Sequence, residues 1–265
     1  MAERPVTTGG SVGVVHVHSD YSHDGRDPLA RLAGFARERR LGFVCLTDHA
    51  EDFGPEAFER YLRECEEQSH DGLRLIPGLE FRFHGFPGLH LLALGLRAWI
   101  QPATPEAFIE LAPAVSGLTI VAHPMLARYQ LPEAVRRGID AIEVWNAAYD
   151  TRYLPDPRAF ELLRAVQRER PDVLAVAGLD QHDARNDRRT RVVLQDPSAT
   201  DPVAELRAGR FTNRGLTLGF AARPAWGSVR LKALKSLERG LRGVERVHDR
   251  LVRSRRLGRG RSGTR

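Results

Sequence analysis

Seven short apolar segments constrain the fold of this chain more than any other feature. They are rich in Val, Ile and Leu, and they cover residues 12–16, 42–47, 73–79, 90–96, 118–122, 139–145 and 173–179. Runs of this length are typical of strands buried on both faces of a parallel sheet. Amphipathic helical patterns lie between several of them, at about 28–40, 55–68, 105–116 and 157–169. These repeated strand–helix units predict an α/β fold, either a barrel or a doubly wound sheet.

Polar residues that can bind metal ions stand at the edges of these apolar segments. The set contains six of the ten histidines of the chain and four carboxylates: His16, His18, Asp48, His49, Glu80, His90, His123, Glu143, Asp180 and His182. In βα folds the active site is built at the carboxyl ends of strands, so residues far apart in sequence can converge at one mouth. Uniform scatter would not gather the histidines in this way, and the sequence therefore predicts a metal centre.

The residue types in this set indicate which ions it can hold. Imidazole and carboxylate suit Zn, Mn or Fe, and the absence of cysteine at these positions argues against a structural thiolate site. In the His-x-His motif at 16–18 both imidazoles point to one face of a strand, because side chains alternate with a period of two. Asp180 and His182 repeat this spacing. A carboxylate such as Glu80 can bridge two ions about 3.5–4 Å apart, a separation that suits in-line displacement.

Each part of the set also has a purely structural explanation. A single His-x-His motif is often incidental, Asp48 beside His49 can be a capping carboxylate, and Glu80 can be a rim carboxylate. His90 leads an apolar segment and can be a hydrogen-bonded core histidine. These explanations would have to hold together at six strand ends, so a shared site is the better interpretation.

Six motifs, in order, resemble those of the PHP (polymerase and histidinol phosphatase) superfamily. They are HVHSDYS at 16–22, LTDHA at 46–50, PGLEF at 77–81, VAHP at 121–124, IEVWN at 142–146 and GLDQH at 178–182. The resemblance covers about residues 14–210 and implies a distorted (β/α)7 barrel. A finer resemblance, carried by HLLALG at 90–95 and LRAGR at 206–210, is to stand-alone PHP metallohydrolases, including the carbaryl-hydrolase-like branch.

The resemblance implies a centre of two or three divalent ions. One ion would be held by His16, His18, Glu80 and Asp180. Glu80 would bridge to a second ion, which His90 and His123 would also bind. Glu143 and Asn146 match a family motif without a role that the sequence can assign.

For a third ion the resemblance leaves one ligand position open. His49 and His182 would bind it together with one residue of the segment 22–25, where His23 and Asp24 both lie near the expected position. The resemblance favours Asp24, since a carboxylate commonly fills this place in stand-alone members. If this site is incomplete, two ions remain. Asp48 is expected to serve catalysis by orienting a ligand or relaying a proton.

The reaction that the resemblance implies first is phosphoester hydrolysis, with a metal-bound hydroxide attacking phosphorus. Arg82 and Arg185 stand beside the motifs and can bind the phosphate of a small phosphorylated substrate, or they can be surface arginines. A second hypothesis is amide, carbamate or ester hydrolysis at the same centre. A third is a non-catalytic or polymerase-associated module, although nothing in the chain resembles the palm, finger or helix-hairpin modules of a polymerase.

The positive charge is concentrated at the carboxyl end. From Arg223 onward fourteen Lys and Arg face three acids, so residues 1–222 carry a net charge of −5 within the total of +6. We expect an N-terminal tail at 1–11, a PHP metallohydrolase domain at 12–222, and a basic amphipathic helix with a disordered Arg/Gly tail at 223–265. The helix is expected to pack on the barrel or on a sister subunit of an oligomer; the alternative is contact with an anionic membrane or nucleic acid. Base stacking has no support, since no aromatic residue follows Trp226.

The expected compartment is a reducing cytoplasm. The chain has no apolar run long enough to cross a membrane, and its first ten residues, MAERPVTTGG, lack a secretory apolar region. Its two cysteines, Cys45 and Cys65, give no disulfide framework.

Overall fold

A computed structural model describes residues 11–151, 153–241 and 243 of the chain. Its strands are β1 Val12–Val17, β2 Phe43–Leu46, β3 Asp48–His49, β4 Arg74–Ile76, β5 Gly78–Arg82, β6 His90–Leu94, β7 Leu118–Ala122, β8 Ala141–Asn146, β9 Leu174–Gly178, β10 Arg191–Leu194, β11 Phe211–Arg214 and β12 Gly219–Ala221. Its helices are α1 Leu29–Glu38, α2 Pro55–Gln68, α3 Pro105–Val115, α4 Glu133–Gly138, α5 Pro157–Gln167 and α6 Pro202–Ala208. The predicted α/β class and the four long helices are confirmed.

The strands form two six-stranded sheets. Their orders are β12-β11-β10-β1-β2-β4 and β3-β5-β6-β7-β8-β9. Pairing is parallel between β1, β2 and β4, between β3 and β5, and between β7, β8 and β9. Four of the helices begin with proline in the first turn, where the missing N–H has no intrahelical partner to lose.

The expectation of a fully parallel sheet is wrong at β6, which runs antiparallel to both β5 and β7. The physical reason is the short connection 83–89, because a parallel crossover needs about a dozen residues or more, usually with a helix. The reversal places His90, the first residue of β6, opposite Arg82 at the end of β5 and Ala122 at the end of β7. His90 therefore reaches the same edge as the carboxyl ends of its neighbours.

Strands β10, β11 and β12 extend the first sheet by antiparallel pairing, and the sequence patterns did not predict them. β10 lies against β1, with Val12 opposite Val193. The buried side chain of Asn213 on β11 accepts a hydrogen bond from the amide of Ala177 (2.8 Å) and donates one to the carbonyl of Ala175 (2.9 Å). Asn213 thereby joins the first sheet to β9 of the second.

One buried apolar cluster takes side chains from both sheets. Among its members are Val15, Phe43, Leu92, Ile120 and Val176. Because protein interiors are packed as densely as organic crystals, a shared core fixes the strand ends of the two sheets relative to one another. This is the scaffold that a multi-residue site requires.

The chain divides into two compact units, Met1–Ala225 and Trp226–Arg265. All the strands and helices named above belong to the first. In the second, residues 228–241 are helical, within the predicted amphipathic helix. Val244, Leu251 and the expected Arg/Gly-rich tail lie outside the described residues, as do residues 1–10 of the expected N-terminal segment.

No helix in the described part of the chain combines the length and the apolar character needed to cross a membrane.

Candidate metal centre

The residues that sequence analysis selected meet at one edge of the fold. Three groups of side chains have potential ligand atoms that all lie within 4.8 Å of one another: His16, Glu80 and His123; His16, His18 and Asp180; and His18, Asp24, His49 and His182. The groups share His16 and His18, so they form one continuous cluster. His90 joins it through Glu80, with 2.7 Å between its Nδ1 and Glu80 Oε1.

The backbone turns sharply where several of these residues leave their strands. His16, His123 and Asp180 all have positive φ angles, of 67°, 23° and 49°. Residues other than glycine rarely adopt this region, at a cost of about 1–3 kcal/mol each, and such positions cluster at functional sites. At His16 the pairing of β1 with β2 also shifts register, as in a β-bulge, and a bulge redirects the side chain it carries.

Glu80 lies at the centre of the cluster and is almost fully buried. Its Oε1 is 3.0 Å from His123 Nε2, and its Oε2 is 3.2 Å from His49 Nδ1. Burial alone would raise the pKa of this carboxyl, but the neighbouring histidines His123, His16 and His49 outweigh burial and hold the pKa well below its usual range. Glu80 is therefore an ionised carboxylate whose two oxygens face different histidines, an arrangement that suits a bridging ligand.

His16 and His18 direct their Nε2 atoms toward the same carboxylate. Each Nε2 is 3.6 Å from Asp180 Oδ1, and neither makes a hydrogen bond although both rings are fully buried. A buried polar atom without a partner is costly. The two nitrogens face the Asp180 oxygen at a distance too long for a hydrogen bond. A cation bound between the two nitrogens and this oxygen would satisfy all three atoms. The donor set therefore fits a divalent metal ion.

The pKa values of the two histidines are shifted in opposite directions. Burial opposes charge on His16, but the carboxylates of Asp180 and Glu143 outweigh it and raise the pKa of His16 well above its usual value. Burial and the neighbouring charge of His16 lower the pKa of His18 well below its usual value. The cluster thus accommodates positive charge between its carboxylates, but not on both rings at once.

The third group contains Asp24 rather than His23. Asp24 Oδ2 lies 3.2 Å from His49 Nε2 and 3.3 Å from His182 Nε2. His23 instead pairs with Asp52, with 2.8 Å between Nδ1 and Oδ2, and its side chain is 54% exposed. The sequence left His23 and Asp24 as alternatives. The side chain of Asp24 reaches His49 and His182, whereas that of His23 is paired with Asp52.

Glu143 and Asn146 orient the cluster by hydrogen bonds to its members. The sequence had left the role of these two residues open. Glu143 Oε1 is 3.0 Å from His16 Nδ1, and its Oε2 accepts a hydrogen bond from the amide of His123 at 2.7 Å. Asn146 Nδ2 donates to Glu143 Oε2 (2.9 Å) and to Asp180 Oδ2 (3.2 Å). A Cβ at Gly178 would overlap the Glu143 carboxylate, so this close approach requires glycine.

Asp48 contacts the cluster through an intervening serine, Ser22. Its buried carboxylate accepts hydrogen bonds from the Ser19 amide at 2.7 Å and from the Ser22 hydroxyl at 2.8 Å. Ser22 in turn lies 3.4 Å from His18 Nδ1 and accepts a hydrogen bond from the His49 amide at 2.9 Å. Sequence reasoning missed the two serines, although both stand inside the motif at 16–22.

The two candidate phosphate-binding arginines occupy different environments. The Arg82 guanidinium lies 2.8 Å from His49 Nε2 and 3.3 Å from Glu51, with the side chain 39% exposed. Arg185 is 71% exposed and forms a two-pronged pair with Asp183, at 2.9 and 2.6 Å. Arg82 therefore borders the cluster, whereas the described contacts of Arg185 are made to Asp183.

Tyr149 also borders the cluster and was not identified from the sequence. Its ring packs edge-on against His123, with 5.2 Å between ring centroids, and the residue is 41% exposed. Burial raises the pKa of its phenol, and the charges of Asp180 and Glu80 add to this. No motif marks this residue, because a tyrosine in a loop is common and carries no spacing signal.

The fold and the cluster define a mixed α/β protein with a candidate site for more than one metal ion. Comparison with family models finds a match to the PHP domain over residues 15–142, so this part of the chain is similar to that domain. A search of curated proteins returns no match to the chain.

Solved structures share the fold. One is a two-domain protein from Bacteroides vulgatus containing a predicted PHP-like metal-dependent phosphoesterase, with 19% identity and a TM-score of 0.59 over 80% of this chain and 66% of that chain. Another is PsfC from Pseudomonas syringae, with 16% identity and a TM-score of 0.54 over 78% of this chain and 91% of that one. At such identities the likeness establishes the fold alone.

Proposed function

We propose that this protein is a metal-dependent phosphoesterase with a di- or trinuclear centre. The observation that carries the proposal is the pair of buried Nε2 atoms of His16 and His18, both without a hydrogen bond and both 3.6 Å from Asp180 Oδ1. The PHP-domain match supports it, as does the description of the Bacteroides vulgatus relative.

The proposed ligand sets follow the three groups. One ion would be bound by His16, His18, Glu80 and Asp180; a second by Glu80, His90 and His123; and a third by Asp24, His49 and His182. Zn, Mn and Fe all suit imidazole and carboxylate ligands. When bound, such ions supply a Lewis acid and a nucleophilic water of lowered pKa.

Residues around the ligands would position and bind the substrate. Glu143 and Asn146 fix the rings and carboxylates from behind, so that little rearrangement is needed during reaction. Asp48 acts on His18 through Ser22, which makes it a positioning residue. The exposed part of Arg82 would bind a phosphoryl oxygen, because a guanidinium forms strong hydrogen bonds to phosphate.

The carbaryl-hydrolase-like branch is the competing substrate proposal. A carbamate would use the same cluster, but it carries no phosphoryl group for Arg82 to bind. Parallel assays on aryl phosphates and aryl carbamates separate the two, and we expect hydrolysis of the phosphates. Turnover of carbamates alone would replace the phosphoesterase proposal.

Metal analysis tests the centre independently of substrate. We expect two or three ions per chain after gentle purification, and a large loss in the variant His18→Ala. The matched control is His70→Ala, because His70 is an exposed histidine that contacts Asp71 and Arg37. Less than one ion per chain in the wild-type protein would favour a non-catalytic PHP module.

We also propose that the seven strand segments of the core close into the distorted (β/α)7 barrel. Hydrogen bonds between β1 and the segment that follows β9 support this. The amide of Leu179 donates to the carbonyl of Val15 at 2.8 Å, and the amide of His18 donates to the carbonyl of Gln181 at 2.9 Å.

A further inference from the structure

The aromatic ring of Tyr149 lies against the cluster of candidate metal ligands. Its ring contacts His123 edge-on, so one side of the residue is fixed against a proposed ligand while 41% of it remains exposed. Within the described part of the chain its hydroxyl makes no hydrogen bond. A tyrosine that packs its ring and leaves its O–H open offers a polar group to a ligand.

The loop that carries Tyr149 is held by the same network that holds the cluster. The side-chain oxygen of Asn146, Oδ1, accepts hydrogen bonds from the backbone amides of Ala148 (2.9 Å) and Tyr149 (3.2 Å). The backbone N–H of Asn146 donates to the Asp150 carboxylate at 2.7 Å. Through Nδ2 the same side chain donates to Asp180 at 3.2 Å. Tyr149 is therefore positioned in advance, which reduces the entropic cost of using it in binding.

Tyr149 and Arg82 flank the cluster at different histidines. Tyr149 lies against His123, which faces Oε1 of Glu80, whereas Arg82 contacts His49, which faces Oε2. A tetrahedral oxyanion bound over the centre presents several acceptor oxygens. Two donors at separate positions can therefore bind different oxygens of the same group.

We propose that the Tyr149 hydroxyl contacts the substrate and donates a hydrogen bond to a non-bridging oxygen of its phosphoryl group. The inference rests on the proposed phosphoesterase function and extends it to a residue outside the metal ligands. Because these oxygens carry negative charge in the bound substrate and in the transition state, a preorganised hydrogen bond to one of them stabilises both.

The test compares Tyr149→Phe with Tyr153→Phe, both in metal-loaded full-length protein. The first change removes the hydroxyl and keeps the ring against His123; the second makes the same change at a tyrosine that is 38% exposed. For Tyr149→Phe we expect kcat/KM on an aryl phosphate to fall about tenfold to hundredfold, the range for a hydrogen bond to a charged group. Metal content and Tm should equal those of the wild type, and Tyr153→Phe should match the wild type throughout.

Binding of inorganic phosphate, measured by calorimetry, provides a readout that does not depend on turnover. Weaker phosphate binding in Tyr149→Phe than in both the wild type and Tyr153→Phe supports the inference, even if no phosphoester is hydrolysed and the proposed function fails. Kinetics and phosphate affinity within twofold of the wild type overturn it. A loss that is accompanied by reduced metal content also overturns it, because Tyr149 would then act by supporting His123.

Discussion

Replacing Glu143 with Gln should weaken metal binding by forcing a proton onto the wrong nitrogen of His16. Glu143 is ionised, since the charge of His16 and the hydrogen bonds with His16 and Asn146 lower its pKa against the effect of burial. An ionised carboxylate only accepts, so it keeps a proton on His16 Nδ1, and an ion that binds would take Nε2 by displacing the proton there. In the variant the single amide oxygen must serve the backbone N–H of His123, and the NH₂ group then faces His16 Nδ1.

The magnitude follows from that geometry. With an NH₂ donor opposite, Nδ1 has to accept, so the proton moves to Nε2 and removes a proposed ligand atom. Changing a group that orients a metal-binding histidine typically costs tenfold to a hundredfold in affinity, or about 1.4–2.7 kcal/mol. Gln matches Glu in shape, so the fold should be retained.

Metal affinity is measured by competition with a chromophoric chelator, starting from stripped protein. Nitrogen NMR of the histidine rings reports the tautomer directly. The control variant is Glu169→Gln, which makes the same change at an exposed acid paired with Arg136. An affinity within twofold of the wild type, with Nδ1 of His16 still protonated, would refute the reasoning.

Three further predictions concern packing, substrate binding and the basic segment. Gly178→Ala should lower the free energy of unfolding by about 1–3 kcal/mol, measured in urea on chelator-treated protein. At Gly34 a Cβ meets nothing within 4 Å, so Gly34→Ala should raise the free energy of unfolding by about 0.5–1 kcal/mol. Equal effects of the two changes would contradict the packing argument. Arg82→Ala should lower kcat/KM on an aryl phosphate about tenfold or more, with Arg185→Ala unchanged; unaltered kinetics in Arg82→Ala would remove it from the site. A truncation ending at Arg223 should bind anionic vesicles and DNA less than the full chain if the basic segment recruits either; indistinguishable binding would end that proposal.

Local pattern was sufficient for the parts of the fold that depend on local physics. Short runs of branched residues marked the strands of the two sheets, and the 3.6-residue period marked the helices. The direction of β6 was beyond this reasoning, because strand direction is set by connection length and tertiary pairing. β10 to β12 were missed for a similar reason: each has four residues or fewer, and Asn213 supplies hydrogen bonds that no periodicity signals.

Some residues of the candidate site could be identified from the sequence, and others could not. Metal ligation needs few residue types, so the histidines and carboxylates could be selected from the sequence. Ser19, Ser22 and Tyr149 could not, because serine and tyrosine serve many purposes and only their distances to Asp48 and His123 reveal this one. The choice between His23 and Asp24 likewise required the loop, since adjacent residues differ only in where the backbone directs them.

The reversed strand β6 ties the length of a surface loop to the chemistry of the centre. Side chains along a strand alternate between its faces, so a slip of one residue exchanges the two faces completely. One residue inserted or deleted in the segment 83–89, if absorbed by sliding β6 along β5, would withdraw His90 and turn Leu89 or Leu91 toward Glu80. This hairpin can therefore vary in sequence far more freely than in length.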